Sequence, residues 1–373
     1  MVSPTIERIE TSIVDLPTIR PHHLSMAVMK TQAMVIIRLL CSDGIEGIGE
    51  STTIGGLSYG PESPESIKLT IDNYIAPIVI GKDASKVQQA MLLIESNIQG
   101  NNFAKSGIET ALWDAQGKRL NVSVATLLGG TVTHSLPVLW TLASGDTGKD
   151  IEEAQHYLSN KRHNTFKIKI GRNDPKVDIK HVTAIKKALG EEVKITVDVN
   201  QAWSESIAKN AIDSLQNAGV DLIEQPISKE NIDGLSRLSA HFNVPIMPDE
   251  SICTYTDAFK LAKKRAGDVF ALKIAKAGGL RNILKIAGIA EAADILLYGG
   301  TMLEGTIGTV ASAHVFSVLP SLAWGTELFA PLLLTDDIVT KKLTYKNGTL
   351  QLPDAPGLGV ELDVDKLEKY KRK

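Results

Sequence analysis

The chain has 373 residues, 43% of them hydrophobic, which is enough for a large buried core and two domains. Lys and Arg number 40 against 43 Asp and Glu, a net charge of −3 with the signs mixed throughout, and this excludes a nucleic-acid or polyanion surface. Only Cys41 and Cys253 occur, far apart and in no metal-type cluster. No apolar run reaches membrane-spanning length, and the first residues lack a signal-peptide core, so a reducing cytoplasm and no membrane partner are expected.

Residues 6–15 and 33–40 alternate or run apolar as strands do, and Ser42-Asp43-Gly44 turns the chain into a third strand at 45–50. Gly44, Gly47 and Gly49 read as a turn and a glycine-relieved strand, because no helix opens after them as a dinucleotide loop requires. The adjacent His22 and His23 point to opposite sides of an extended chain, against a metal pair. Residues 52–60 form a small, glycine-rich loop that suits either a lid or a plain connector. Ser63-Pro64 then caps a helix with Ile67, Ile71, Tyr74, Ile75 and Ile78 on one face, and further helices are predicted at 83–97 and 103–120. Leu127-Leu128-Gly129-Gly130 ends this first domain, placed at 1–130.

From residue 137 the period changes. Strand candidates lie near 137–142, 166–170, 194–199, 221–224, 245–248, 269–273, 294–298 and 322–325, separated by helical patterns such as 176–189 and 204–218. Eight strands alternating with helices predict a closed parallel barrel over 131–330. The turn-rich tail, 331–373, is expected to fold back on the first domain.

Successive strands end on charged side chains. Lys169 to Asp198 is 29 residues, then 26 to Glu224, 25 to Asp249 and 24 to Lys273, each the length of one strand plus one helix. In a parallel barrel such ends converge on one rim, so two lysines and three carboxylates become neighbours. Three converging carboxylates repel unless a hard divalent cation joins them, and all-oxygen ligation favours Mn²⁺ or Mg²⁺ over zinc. Lys169 and Lys273, on strands two and six, would address opposite faces of a substrate, and positive charge from Lys167 and the metal would lower the pKa of a lysine base. The set predicts proton transfer alpha to a carboxylate. A Schiff base on Lys273, or a non-catalytic barrel holding a structural metal, are the alternatives from other classes.

Lys167-Ile168-Lys169, the acids Asp198, Glu224 and Asp249, and Lys273 resemble the muconate-lactonizing subgroup of the enolase superfamily. Residues 15–21, 52–60, 103–109 and 324–329 extend the similarity along the whole chain. The resemblance implies an α/β fold, an enolase-like (β/α)7β TIM-type barrel beneath an N-terminal α+β capping domain. It implies interconversion of cis,cis-muconate, a small dicarboxylate, and muconolactone through an enolate in aromatic degradation, with Mn²⁺ as cofactor. In that scheme Asp198, Glu224 and Asp249 hold the metal and Lys169 moves the proton, with Lys167 beside it. Lys273 assists from the other face, Glu327 bonds the enolate oxygen, and Ile54, Tyr59, Asn200 and Phe329 line the pocket. A homo-oligomer such as an octamer is implied as well. Chlorinated muconates, o-succinylbenzoate synthesis and dipeptide epimerisation are the alternatives within the subgroup. Pro248 and Ala330 depart from its usual Ala and Gly.

Overall fold

Glycines and prolines set the shape of the first sheet in the computed structural model, which describes residues 3–373. β1 (Ile6–His23) pairs antiparallel with β2 (Val28–Cys41), and β2 with β3 (Glu46–Thr52). β1 runs eight residues beyond the predicted 6–15. It tolerates Pro17 and Pro21 because it is an edge strand, and its register shifts between Pro17 and His22. On β3, a Cβ at Gly47 would lie 2.0 Å from the Ala111 carbonyl oxygen and one at Gly49 would lie 2.1 Å from that of Gly107. The strand therefore lies backbone against backbone on the helix Asn102–Leu120.

The predicted helix after Ser63 is three pieces. Pro64–Thr70 begins with a Ser63–Ser66 capping box, a π-helical turn covers Ile71–Ile75, and Ala76–Val79 completes it. The extra residue of the π turn resets the face: Ile67, Ile71 and Ile75 are buried, but Tyr74, placed with them by the simple period, is 65% exposed. Pro77, with no N–H to give, sits at the start of the last piece.

The residues at 137–142 divide between two strands. β4 (Ser135–Pro137) joins an antiparallel sheet, and β5 (Trp140–Leu142) opens the parallel one. β5, β6 (Thr165–Lys169), β7 (Lys194–Asp198), β8 (Leu222–Glu224) and β9 (Ile246–Met247) pair in sequence order, and β10 (Val269–Leu272) pairs with β11 (Leu296–Gly299). Asp268 N–H donates to Ile246 O at 2.8 Å, which links β9 to β10. The eighth strand expected at 322–325 is instead a turn. Thr326 alone takes its place, bridging in parallel to Gly299 and to Val138, and this single residue closes the ring. Trp324 and Gly325 cannot extend the pairing because Gly325 has φ +66°.

Two capping-domain acids hold barrel helices by their exposed N–H groups. Glu50 accepts from Gly305 N at 2.7 Å and Gly308 N at 2.8 Å, at the start of the helix Thr306–Ser317. Glu109 accepts from Arg281 N at 2.8 Å in the helix Leu280–Ala292. The tail touches both domains. β12 (Tyr345–Lys346) and β13 (Thr349–Gln351) extend the sheet of β4, and the helix Val364–Tyr370 packs on β1. Among the described residues, no helix is long and apolar enough to cross a membrane.

Candidate active site

Register brings the charged strand ends together. Lys169 pairs with Asp198 and Asp198 with Glu224 across neighbouring strands, so each end stands one strand spacing from the next. The alternation of β6 turns Lys167 and Lys169 to the same side. Lys167 lies deepest: its Nζ is 2.6 Å from Glu224 and 2.7 Å from Glu327, and 4.7 Å above the Tyr298 ring. Lys169 Nζ donates to Asp198 at 2.5 Å. Lys273 donates to Asp249 at 2.7 Å and to the Tyr59 hydroxyl at 2.9 Å, and Lys276 donates to the other Asp249 oxygen and its carbonyl.

The electrostatics follow from burial and these pairs. Burial, then the nearby Asp198 carboxylate, pushes Glu224 up to about 8. Burial alone would raise Asp249 as well, but Lys273 and Lys276 outweigh it and hold that carboxyl far below the usual range. Burial disfavours the charged form of Lys169, yet Asp198 and Glu327 prevail and its pKa is raised. Lys167 pushes Lys169 down, the direction expected of it, and among these protein groups the acid in contact with it is stronger. Lys273 is likewise raised, chiefly by Asp249 against its own burial.

The three acids suit a hard cation by their chemistry. Each is a buried acid at a neighbouring strand end, and Glu224 has the Lys167 ion pair at 2.6 Å as its contact, with no hydrogen-bond partner at Oε1. Among the described residues no three His, Cys, Asp or Glu side chains stand as a finished metal cage. The reason is visible in the contacts, since each acid is drawn toward a lysine: Asp198 to Lys169, Glu224 to Lys167 and Asp249 to Lys273 and Lys276. Asn200 braces the set, donating to Asp198 and, at 3.2 Å, to Glu250.

Above the rim lies a narrow pocket, reached by Lys169, Lys273, Asn200 and Glu327 from the barrel and by Ile54 and Tyr59 from the 52–60 loop. Tyr59 does more than line it, because its hydroxyl donates to Asp249 at 2.7 Å. Phe329 is not on the cavity wall, contrary to expectation. It is fully buried against Trp140, ring centroids 5.1 Å apart. Sequence reasoning missed four groups at the site. Lys276 and Glu250 lie just past strand ends already singled out, and Glu250 is pushed up to about 7 by burial and the neighbouring Asp249. Thr301 follows β11, and His22 enters from the end of β1. Position relative to a strand end could have flagged the first three; nothing in the 21–24 stretch told which histidine would turn inward.

Residues 8–129 match the mandelate racemase/muconate lactonizing enzyme N-terminal domain, and residues 149–366 match the enolase C-terminal domain-like model. The chain belongs to the mandelate racemase/muconate lactonizing enzyme family of the enolase superfamily. Members of that superfamily bind a divalent metal ion. This member is 57% identical to muconate cycloisomerase 1 of Pseudomonas putida over the full length of both chains. It is 46% identical to a chloromuconate cycloisomerase of Delftia acidovorans over 98% of this chain and 99% of that one. The crystal structure of the muconate lactonizing enzyme from Pseudomonas fluorescens, complexed with muconolactone, superposes with a TM-score of 0.99 at 59% identity over all of both chains.

Proposed function

We propose that this protein is a muconate cycloisomerase, interconverting cis,cis-muconate and muconolactone. The observation that carries the reading is one pocket lined by both Lys169 and Lys273, each bonded to an acid of the row Asp198, Glu224 and Asp249. Full-length similarity at 57% to muconate cycloisomerase 1, against 46% to chloromuconate cycloisomerase, favours the unsubstituted diene.

Lactonisation forms one C–O bond between a carboxylate and the diene, and the displaced electron pair collects on the other carboxylate as an enolate. Muconolactone carries one negative charge fewer than muconate, so a proton must be delivered to the alpha carbon. Lys169 gives that proton in the forward direction and removes it in reverse, and solvent restores it at the 11% exposed side chain. Lys273 opposes it with a fixed positive charge that favours the forming enolate, and Glu327, which accepts from Lys167 at 2.7 Å and from the Thr141 hydroxyl at 3.1 Å, can bond the enolate oxygen only once it takes up a proton. A divalent cation, Mn²⁺ in this reading, held by Asp198, Glu224 and Asp249 supplies the electrostatic stabilisation that makes the alpha proton acidic. The same reading includes a role in aromatic degradation, a homo-oligomer, and a cytoplasmic setting that suits the two free cysteines.

Proton NMR of the reaction run in D₂O tests the proposal. One deuterium should enter the alpha position of muconolactone, at one of its two diastereotopic sites. Consumption of muconate without deuterium at that carbon, or no consumption by the metal-loaded protein, would refute it.

A further inference from the structure

The reaction above leaves one polar group of the cavity without a task. His22 is 1% exposed, lines the cavity, and has no hydrogen-bond partner at Nδ1 or Nε2. The other polar side chains of the wall each have a partner: Lys169 with Asp198, Lys273 and Tyr59 with Asp249, Thr301 with Glu304, Glu327 with Lys167, and Asn200 through its Nδ2 with Asp198, only its Oδ1 remaining unpaired. A buried imidazole with two idle nitrogens is unfavourable unless something else completes it.

Its placement is fixed from both sides. His23 N–H donates to Ala143 O at 3.1 Å, and the Arg20 guanidinium donates to Thr141 O at 3.2 Å and forms an ion pair with Glu153 at 3.1 Å. The end of β1 is thus pinned to the barrel rim two residues before His22 and one residue after it, and the side chain is aimed rather than loose. Burial, reinforced by Arg20 and Lys169, keeps the ring neutral, its pKa down at about 3. A neutral imidazole presents one N–H donor and one acceptor.

Muconate brings two carboxylates into a cavity that no arginine lines. One belongs at the row of acids, and the other must be turned toward the diene to add to it. We infer that His22 donates a ring N–H to this second carboxylate, orienting it for addition and selecting dicarboxylates over monocarboxylates. The inference rests on the reaction assigned above, and adipate and hexanoate, the saturated six-carbon diacid and monoacid, separate the two.

Calorimetry on the Mn²⁺-loaded protein gives the affinity ratio of adipate to hexanoate. The wild type should prefer adipate, and His22→Leu should lose about tenfold to hundredfold of that preference, the size of one hydrogen bond to a charged group, with hexanoate binding unchanged. Because no hydrogen bond is lost within the protein, the leucine variant should fold, and His22→Met replaces it if it does not. His22→Gln, which keeps an N–H to give, should restore part of the preference. A preference unchanged by leucine, or an equal loss for both acids, overturns the inference. Muconate left unconsumed while His22 still governs the ratio would instead sink the assigned reaction.

Discussion

At the level of single residues, the two lysines of β6 make opposite predictions. Lys167 is fully buried between Glu224 and Glu327, so Lys167→Met leaves the buried Glu327 carboxylate without the cation in contact with it, beside a Glu224 already raised to about 8. Urea unfolding of the metal-free protein should show a loss of about 3–5 kcal/mol. Lys169 is near the surface of the cavity, and Asp198 keeps its bonds from Asn200 when the lysine goes. Lys169→Ala should therefore unfold close to the wild type while turnover falls about 10²–10⁴-fold. Equal destabilisation by both substitutions would contradict the division of roles. The placement of these lysines was legible in sequence because strand alternation and the 29-residue spacing fix where they stand. Their protonation was not, since it depends on which acid each lysine touches across the ring. His22 was hidden for a similar reason: its direction is set by the register shift in β1, which no local pattern announces.

At the level of elements, glycine and histidine mark the joints. Gly49→Ala places a methyl group against the Gly107 carbonyl, where neither backbone can retreat, and should cost about 1–3 kcal/mol or more by urea unfolding. A negligible change would mean that β3 can lift from its helix. His314 joins three segments: its Nδ1 accepts from Ala125 N–H at 3.3 Å and its Nε2–H donates to Leu358 O at 3.0 Å. The bond from Ala125 needs the neutral ring, because a protonated Nδ1 cannot accept, and burial holds its pKa at about 4, below the unfolded value of 6.5. The unfolded chain therefore binds the proton first as pH falls. The stabilisation is present above pH 6.5 and lost on descent to about 4, amounting to about 3 kcal/mol. His314→Gln should be less stable at pH 7.5 but flatter in urea titrations between those limits, and an unchanged slope would exclude this histidine as the source. Periodicity located most barrel strands and helices, but not the π turn at Ile71–Ile75 or the reduction of the eighth strand to Thr326. Both depend on tertiary packing that overrides local pattern.

Over the whole molecule, the cap and barrel meet where the chemistry is placed, with Tyr59 from one domain bonded to Asp249 of the other. A cation at Asp198, Glu224 and Asp249 must displace the lysines from those acids, so its binding should stabilise the entire fold. Mn²⁺ at a hundredfold excess over its Kd should add about 2.7 kcal/mol, seen as a raised Tm, and Glu224→Gln should abolish most of the rise. A Tm indifferent to the metal would place the ion elsewhere. The central claim is that one rim supplies metal, proton and substrate site together. Its most direct test follows the ultraviolet absorbance of the diene of cis,cis-muconate with metal-stripped protein, Mn²⁺-restored protein and Mn²⁺-loaded Lys169→Ala in parallel. Rapid loss in the restored wild type alone is the predicted result. Persistence of the diene with folded, metal-loaded wild type, or equal loss with Lys169→Ala, would contradict it.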